Sequence, residues 1–178
     1  MIIFITGGAR SGKSRYAQQR AKELSESPVY VATARHWDGD FEKRIKRHQQ
    51  DRGPEWKNYE VEKYVSKISF TEKTVVIDCV TLWLTNFFID HKQDIDKSLT
   101  EFKKEIDQIE NVNATFIIVS NEIGMGVHAE TEAGRKFVDL HGWANQYVAE
   151  KAAEVFLMVS GISLKVKPSK SHSLNEEI

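Results

Sequence analysis

Ile2-Ile3-Phe4-Ile5-Thr6-Gly7-Gly8-Ala9-Arg10-Ser11-Gly12-Lys13-Ser14 is the stretch on which the reading of the whole chain turns. Its first part is a short apolar run of β type, its middle a glycine loop, and the residues from Lys13 to Ser25 open a polar helix. Gly7 to Ser14 fits G-x-x-x-x-G-K-S, and a strand before it with a helix after it turns that pattern into a cradle for a nucleoside triphosphate. Glycines without a Cβ let the loop curl around phosphate oxygens, while backbone N–H groups and the positive helix end stabilise the anion. Gly7, Gly8, Ala9, Arg10, Ser11, Gly12, Lys13 and Ser14 are therefore the expected nucleotide contacts. Lys13 is placed to reach the β and γ phosphates and Ser14 to ligate Mg²⁺ through its hydroxyl. The competing reading, a flexible glycine turn, does not account for the strand and helix on either side.

Apolar β-type runs recur at Ile2–Thr6, Val29–Thr33, Thr74–Cys79, Thr115–Ser120 and Glu154–Val159, with helical or polar stretches between them. Continuous apolar strands alternating with helices predict a parallel sheet covered on both faces. Helices are expected over Lys13–Ser25, Asp40–Gln50, Ile95–Ile109 and Glu130–Ala153, the last in one piece or two joined near Gly142, with a weaker one over Glu62–Ile68. Ile162–Lys167 alternates apolar and polar residues at strand spacing and reads as an edge strand. The fold class is α/β: a phosphate-loop, three-layer domain with a mostly parallel central sheet, with the nucleotide at the carboxyl ends of its strands.

The chain has 178 residues with 25 Lys+Arg against 26 Asp+Glu. That length suits one compact unit, read as a single catalytic domain over 1–167 followed by a loose polar tail over 168–178. A formal charge of -1 gives no global field to gather nucleic acid or an anionic membrane surface. The lone Cys79 excludes an intrachain disulfide, and with no signal-like segment or membrane-length apolar run the expectation is a cytoplasmic enzyme.

Val75-Val76-Ile77-Asp78 is an apolar strand ending in a carboxylate, where an open α/β sheet carries ligand groups. Asp78 can lie beside the metal held by Ser14, or it can cap the helix that starts near Thr81. Phe41 to Arg52 carries five basic side chains and His48, with Arg44 and His48 on one helical face. Cations stabilise the equatorial oxygens of a transferring phosphoryl group, and neutral imidazole can attack phosphorus; composition alone reads the same segment as a solvated basic face. Asn121-Glu122-Ile123-Gly124-Met125-Gly126-Val127 follows a strand and can bring its backbone close to a ligand, or serve as a plain connection. Trp37, Trp56, Trp83 and Trp143 read as packing residues, and His36, His91, His128, His141 and His172 form no metal-ligand spacing.

Seven blocks taken together resemble one family. They are T-G-G-A-R-S-G-K-S (Thr6–Ser14), V-A-T-A (Val31–Ala34), R-I-K-R-H (Arg44–His48), W-K-N-Y-E (Trp56–Glu60), V-I-D-C-V-T-L-W-L-T-N (Val76–Asn86), V-S-N-E-I-G-M-G-V (Val119–Val127) and V-S-G-I (Val159–Ile162). The family is that of bifunctional adenosylcobinamide kinase/adenosylcobinamide-phosphate guanylyltransferases of cobalamin biosynthesis, and the resemblance extends to about Lys167. It implies two reactions: phosphorylation of the aminopropanol hydroxyl of adenosylcobinamide by GTP or ATP, then transfer of GMP from GTP onto the adenosylcobinamide phosphate. It implies that GMP travels on a histidine, here His48, with Lys13 as the other catalytic residue and Mg²⁺ as the metal. It further implies guanine-nucleotide contacts at Thr33, Ala34 and Arg35, at Gln49, Gln50, Asp51 and Arg52, and at Glu60 and Asp78. A homotrimer is also implied. Gly142-Trp143 stands where many members have Gly-Arg, and Ala129 where many have proline; if that arginine binds the corrinoid phosphate, Arg135 or Lys136 takes its place here.

Two other readings compete with this. A plain small-molecule kinase would use the basic segment as a phosphate-closing lid and leave His48 without covalent chemistry. A GTPase-type switch would bind partners, but such proteins read guanine with an N/T-K-x-D element that this chain lacks, and Asp139-Leu140-His141-Gly142 falls inside a predicted helix.

Overall fold

A computed structural model describes residues 1–35, 53–71 and 73–167. Seven strands form one sheet: β1 (Ile2–Gly7), β2 (Val29–Ala32), β3 (Lys57–Glu60), β4 (Thr74–Asp78), β5 (Thr115–Val119), β6 (Glu154–Val159) and β7 (Ile162–Lys167), in the spatial order β3-β2-β4-β5-β1-β6-β7. Every neighbouring pair is parallel except β6 with β7, which close an antiparallel hairpin at the edge. Among the described residues the α-helices are α1 (Lys13–Leu24), α2 (Val80–Asp90), α3 (Ile95–Glu110) and α4 (Glu132–Lys151).

Apolar side chains of the central strands point alternately to two faces, which is why their sequences read as unbroken apolar runs. Ile2 and Phe4, Val75 and Ile77, and Phe116 and Ile118 enter one core with Trp83, Phe87, Phe102, Ile106, Leu140 and Val148 from α2, α3 and α4. Ile3 and Ile5, Val76, and Ile117 and Val119 enter a second core with Ala17 and Ala21 of α1 and with Tyr30 and Trp56. The alternation thus divides the chain into helix, sheet and helix layers. Each fully buried large side chain contributes roughly 1.5–3 kcal/mol over its exposed state. The alanines of α1 let that helix lie close to the sheet, which fixes the height of the loop that precedes it.

The predicted strands and the first, Ile95 and Glu130 helices are found within a few residues of their expected limits. Glu130–Ala153 forms one continuous helix over Glu132–Lys151; a Cβ on Gly142 would meet nothing within 4 Å, and no break occurs there. Two corrections follow from the structure. Lys57–Glu60 is a strand that the pattern did not reveal, because it is a short polar edge strand with little buried surface. Glu62–Ile68 is not a helix; only Val65–Lys67 turns, as a single 3₁₀ turn, with Val65 in the core and the Ser66 N–H and hydroxyl taken by the buried Glu105 carboxylate of α3. The Asp40–Gln50 helix and the 168–178 tail lie outside the described residues.

Candidate functional site: the phosphate loop and the strand ends around it

β1 delivers the chain into the loop at Gly7, whose φ of 148° and lack of a Cβ are both required: a Cβ there would stand 2.5 Å from the Met158 carbonyl oxygen of β6. The loop closes on itself through the Ser11 N–H donating to the Gly8 carbonyl (3.3 Å). Gly161, in the turn between β6 and β7, donates its N–H to the Ser11 carbonyl (2.9 Å), so the edge hairpin buttresses the loop from outside. Gly12 is the N-cap of α1 in the left-handed region (φ 95°), and it leaves the first N–H groups of the helix without a side-chain partner. Those donors and the positive end of α1 face the hollow of the loop.

Lys13 is 6% exposed, and its Nζ donates to the Gly8 carbonyl (2.6 Å) with the Ser11 hydroxyl at 3.5 Å. Burial pushes its pKa below the ordinary lysine value, while nearby Asp78 and Cys79 oppose that shift. A lysine held at the centre of the loop on a carbonyl can exchange that partner for phosphate oxygens at little cost in ordering. Ser14 follows in the first turn of α1.

Asp78 ends β4 beside Ala32 of β2 and Val119 of β5. Its Oδ2 accepts from the Tyr30 hydroxyl (2.8 Å). It does not cap the following helix: α2 starts at Cys79, with no side-chain cap, so that alternative is set aside. Burial pushes the Cys79 thiol up to about 12, leaving it a neutral packing group. Ser14 and Asp78 offer one hydroxyl and one carboxylate, and no group of three or more His, Cys, Asp or Glu side chains that could hold a metal occurs among the described residues. That donor set fits Mg²⁺ bound mainly by phosphate oxygens and water, and does not fit an all-protein cage.

Thr33 is fully buried after β2; its N–H donates to the Asp78 carbonyl (3.2 Å) and its hydroxyl to the Cys79 carbonyl (2.8 Å). Ala34 is also buried. Arg35 forks onto Asp90 (3.0 and 3.1 Å) and donates through Nε to Glu62 (2.7 Å). These bonds hold its pKa above, and that of Asp90 below, their ordinary values. Glu60 closes β3 opposite Ala32. The structure therefore brings together the phosphate loop, Asp78, Thr33, Ala34, Arg35 and Glu60 along one end of the sheet. His48, Gln49, Gln50, Asp51 and Arg52 lie outside the described residues.

Sequence reasoning missed two groups of buried polar residues that pin these strand ends. Asn86 of α2 donates through Nδ2 to the carbonyls of both Thr33 and Glu62 (2.8 Å each), joining the exits of β2 and β3. On the other side, His141 and Asn145 of α4 meet Thr81, Ser120 and Asn121 beyond β4 and β5. The Glu122 N–H then donates to the Gly7 carbonyl (2.9 Å), tying that exit to the phosphate loop. Asn86 and Asn121 stand in the blocks quoted above; nothing local marks His141 or Asn145. Trp56 and Trp83 are core residues as expected, Trp143 is 46% exposed, and Trp37 lies outside the described residues.

A sequence model of the family described as "Cobinamide kinase / cobinamide phosphate guanyltransferase" matches residues 3–166. The chain is similar to the bifunctional adenosylcobalamin biosynthesis protein CobU of Escherichia coli (strain K12), at 34% identity over 94% of this chain and all of that protein. It is similar to CobP, of the same description, from Pseudomonas aeruginosa, at 35% identity over 94% of this chain and 98% of its relative. Among solved structures, the flagellar accessory protein FlaH of Methanocaldococcus jannaschii superposes with a TM-score of 0.51 at 13% identity, covering 94% of this chain and 78% of that one, a likeness of fold alone.

Proposed function

The chain belongs to the cobinamide kinase / cobinamide phosphate guanyltransferase family, and from that premise we propose that it phosphorylates the aminopropanol hydroxyl of adenosylcobinamide and then adds GMP from GTP to that phosphate. The observation that carries the proposal is the buried Lys13 inside a closed glycine loop, with Asp78 and Thr33 on the adjoining strand ends.

In the first step the hydroxyl oxygen attacks the γ-phosphorus, the bond between that phosphorus and the β–γ bridging oxygen breaks, and the hydroxyl proton is released. Lys13 and the N–H groups of the loop stabilise the charge that develops on the departing diphosphate. In the second step a ring nitrogen of His48 attacks the α-phosphorus of GTP and pyrophosphate leaves. An oxygen of the adenosylcobinamide phosphate then attacks the same phosphorus, the N–P bond breaks, and His48 is regenerated. A covalent carrier splits one hard displacement between two anions into two easier ones. Mg²⁺, taken by Ser14 and Asp78, would neutralise charge on the phosphates. Thr33, Ala34, Arg35, Gln49, Gln50, Asp51, Arg52 and Glu60 complete the nucleotide site on this reading. Residues 1–167 act as one catalytic domain, in the cytoplasm and as a homotrimer; the family resemblance supports the trimer. No helix among the described residues is long and apolar enough to cross a membrane.

The test is incubation of the purified protein with adenosylcobinamide, GTP and Mg²⁺, followed by separation of products by mass. Two successive products are expected, one heavier by a phosphate and the next by GMP. A single phosphorylated product that never gains GMP would leave a plain kinase.

A further inference from the structure

His141 is 1% exposed, the only histidine among the described residues buried to that degree, and the chemistry above does not use it. Its Nε2 lies 2.9 Å from the Thr81 hydroxyl in the first turn of α2, and its Nδ1 lies 3.4 Å from Asn145 Nδ2. The orientation of the Asn145 amide is fixed by two other partners: its Oδ1 accepts from the Ser120 hydroxyl (2.7 Å) and its Nδ2 donates to the Asn121 carbonyl (3.2 Å). The side of the ring facing Asn145 therefore meets an N–H, while Nε2 faces two hydroxyls, Thr81 at 2.9 Å and Ser120 at 3.4 Å. Burial lowers the His141 pKa to about 4, consistent with a ring that carries one proton.

The Thr81 hydroxyl oxygen also takes the Asn121 N–H (3.3 Å) and the Asn121 Nδ2 (3.0 Å). One residue further on, the Glu122 N–H holds the Gly7 carbonyl. A chain of contacts thus runs from α4 through Thr81 and the Asn121–Glu122 turn to the residue that opens the phosphate loop. On its other side Gly7 stands beside Met158 in the β1–β6 ladder, so the Glu122 N–H closes the remaining side.

We propose that His141 is a positioning residue: through the hydrogen bond between its Nε2 and the Thr81 hydroxyl it locks the Asn121–Glu122 turn onto Gly7, and that lock holds the phosphate loop in its triphosphate-binding shape. This rests on the phosphate-loop reading. The test uses the full chain, with calorimetric titration of Mg²⁺-GTP and a thermal melt for the wild type, His141→Leu, His141→Gln, His141→Asn and Thr81→Val. Leucine removes the hydrogen bond; glutamine can return a polar amide near the Nε2 position, whereas asparagine reaches only as far as Nδ1. We expect Kd to rise about tenfold in His141→Leu and Thr81→Val, the loss of one buried hydrogen bond expressed at the loop. Glutamine should recover most of the affinity and asparagine should not. A merely structural role would lower Tm and leave Kd untouched. Kd within about twofold of wild type in folded Leu and Val variants, or equal recovery by asparagine and glutamine, overturns the proposal. Should His141→Leu fail to fold, Thr81→Val decides alone. A wild type that binds no Mg²⁺-GTP would sink the phosphate-loop reading, and the proposal with it.

Discussion

Helices α1 and α2 begin at the site, and helices α3 and α4 begin with a side chain to hold them. α3 starts at Asp94, whose carboxylate accepts from the Lys97 N–H, and α4 starts at Thr131, whose hydroxyl accepts from the Gly134 N–H. α1 starts at Gly12 and α2 at Cys79, and neither residue makes a side-chain cap hydrogen bond. Ordinary helix starts gain about 1 kcal/mol from such a cap. Forgoing it at α1 keeps free donors and a positive helix end directed at the phosphate loop. α2 is held instead by tertiary contacts, Thr81 to His141 in its first turn and Asn86 to two carbonyls in its second. Helix ends that only need stability are closed locally; those that border the ligand are held from a distance.

The contrast can be broken hardest at Lys13. Lys13→Ala removes the cation at the centre of the loop, and a loss of about 100-fold in Mg²⁺-GTP affinity by calorimetric titration is expected, with Tm little changed. Affinity within a few-fold of wild type would place the triphosphate elsewhere.

Acid tests how α2 is held. His141 is neutral in the fold with a pKa lowered to about 4, against 6.5 when unfolded. Between those values the unfolded chain takes up a proton that the folded chain refuses, so stability is lost as pH falls from about 6.5 toward 4. The full effect is roughly 3 kcal/mol. His141→Gln should flatten that part of the stability-against-pH curve measured by urea unfolding. Parallel curves for wild type and variant would remove His141 as its source.

At Gly12 the two kinds of helix start can be exchanged in part. Alanine there would force a Cβ into the left-handed region, at about 1–2 kcal/mol, and within 3.3 Å of the Gly161 Cα. Gly12→Ala should weaken nucleotide binding about tenfold, with a smaller fall in Tm. The mildest outcome is expected at the capped starts. Thr131→Ala should cost about 1 kcal/mol in urea unfolding and Asp94→Ala should lower Tm, both without change in Kd. A shift in nucleotide affinity from either would show that those helices too are coupled to the loop.

What could be read from the residues alone divides along similar lines. The phosphate loop is contiguous, and its strand and helix neighbours set its context, so Gly7 to Ser14 could be assigned a geometry from spacing. The central strands carry apolar residues on both faces and stand out as runs. β3 stayed hidden because Lys57–Glu60 sits at the sheet edge and buries little. Asn86, His141 and Asn145 stayed hidden for another reason: their partners lie 53, 60 and 25 residues away, and only the crossovers of a parallel sheet bring them together. His141 in isolation is one histidine on a helix. Asp78 was legible as a strand-terminal carboxylate, but only its bond to Tyr30 and the start of α2 at Cys79 decide against a capping role.

The central claim is that one nucleotide site serves a covalent relay through His48, and its most direct measurement is transfer of label from α-³²P GTP to the protein in the presence of Mg²⁺. The account predicts label on the wild type, discharged by adenosylcobinamide phosphate, and none on His48→Ala, while His48→Ala still phosphorylates adenosylcobinamide. Label persisting on His48→Ala, or a wild type that turns over both steps without ever carrying GMP, would contradict it.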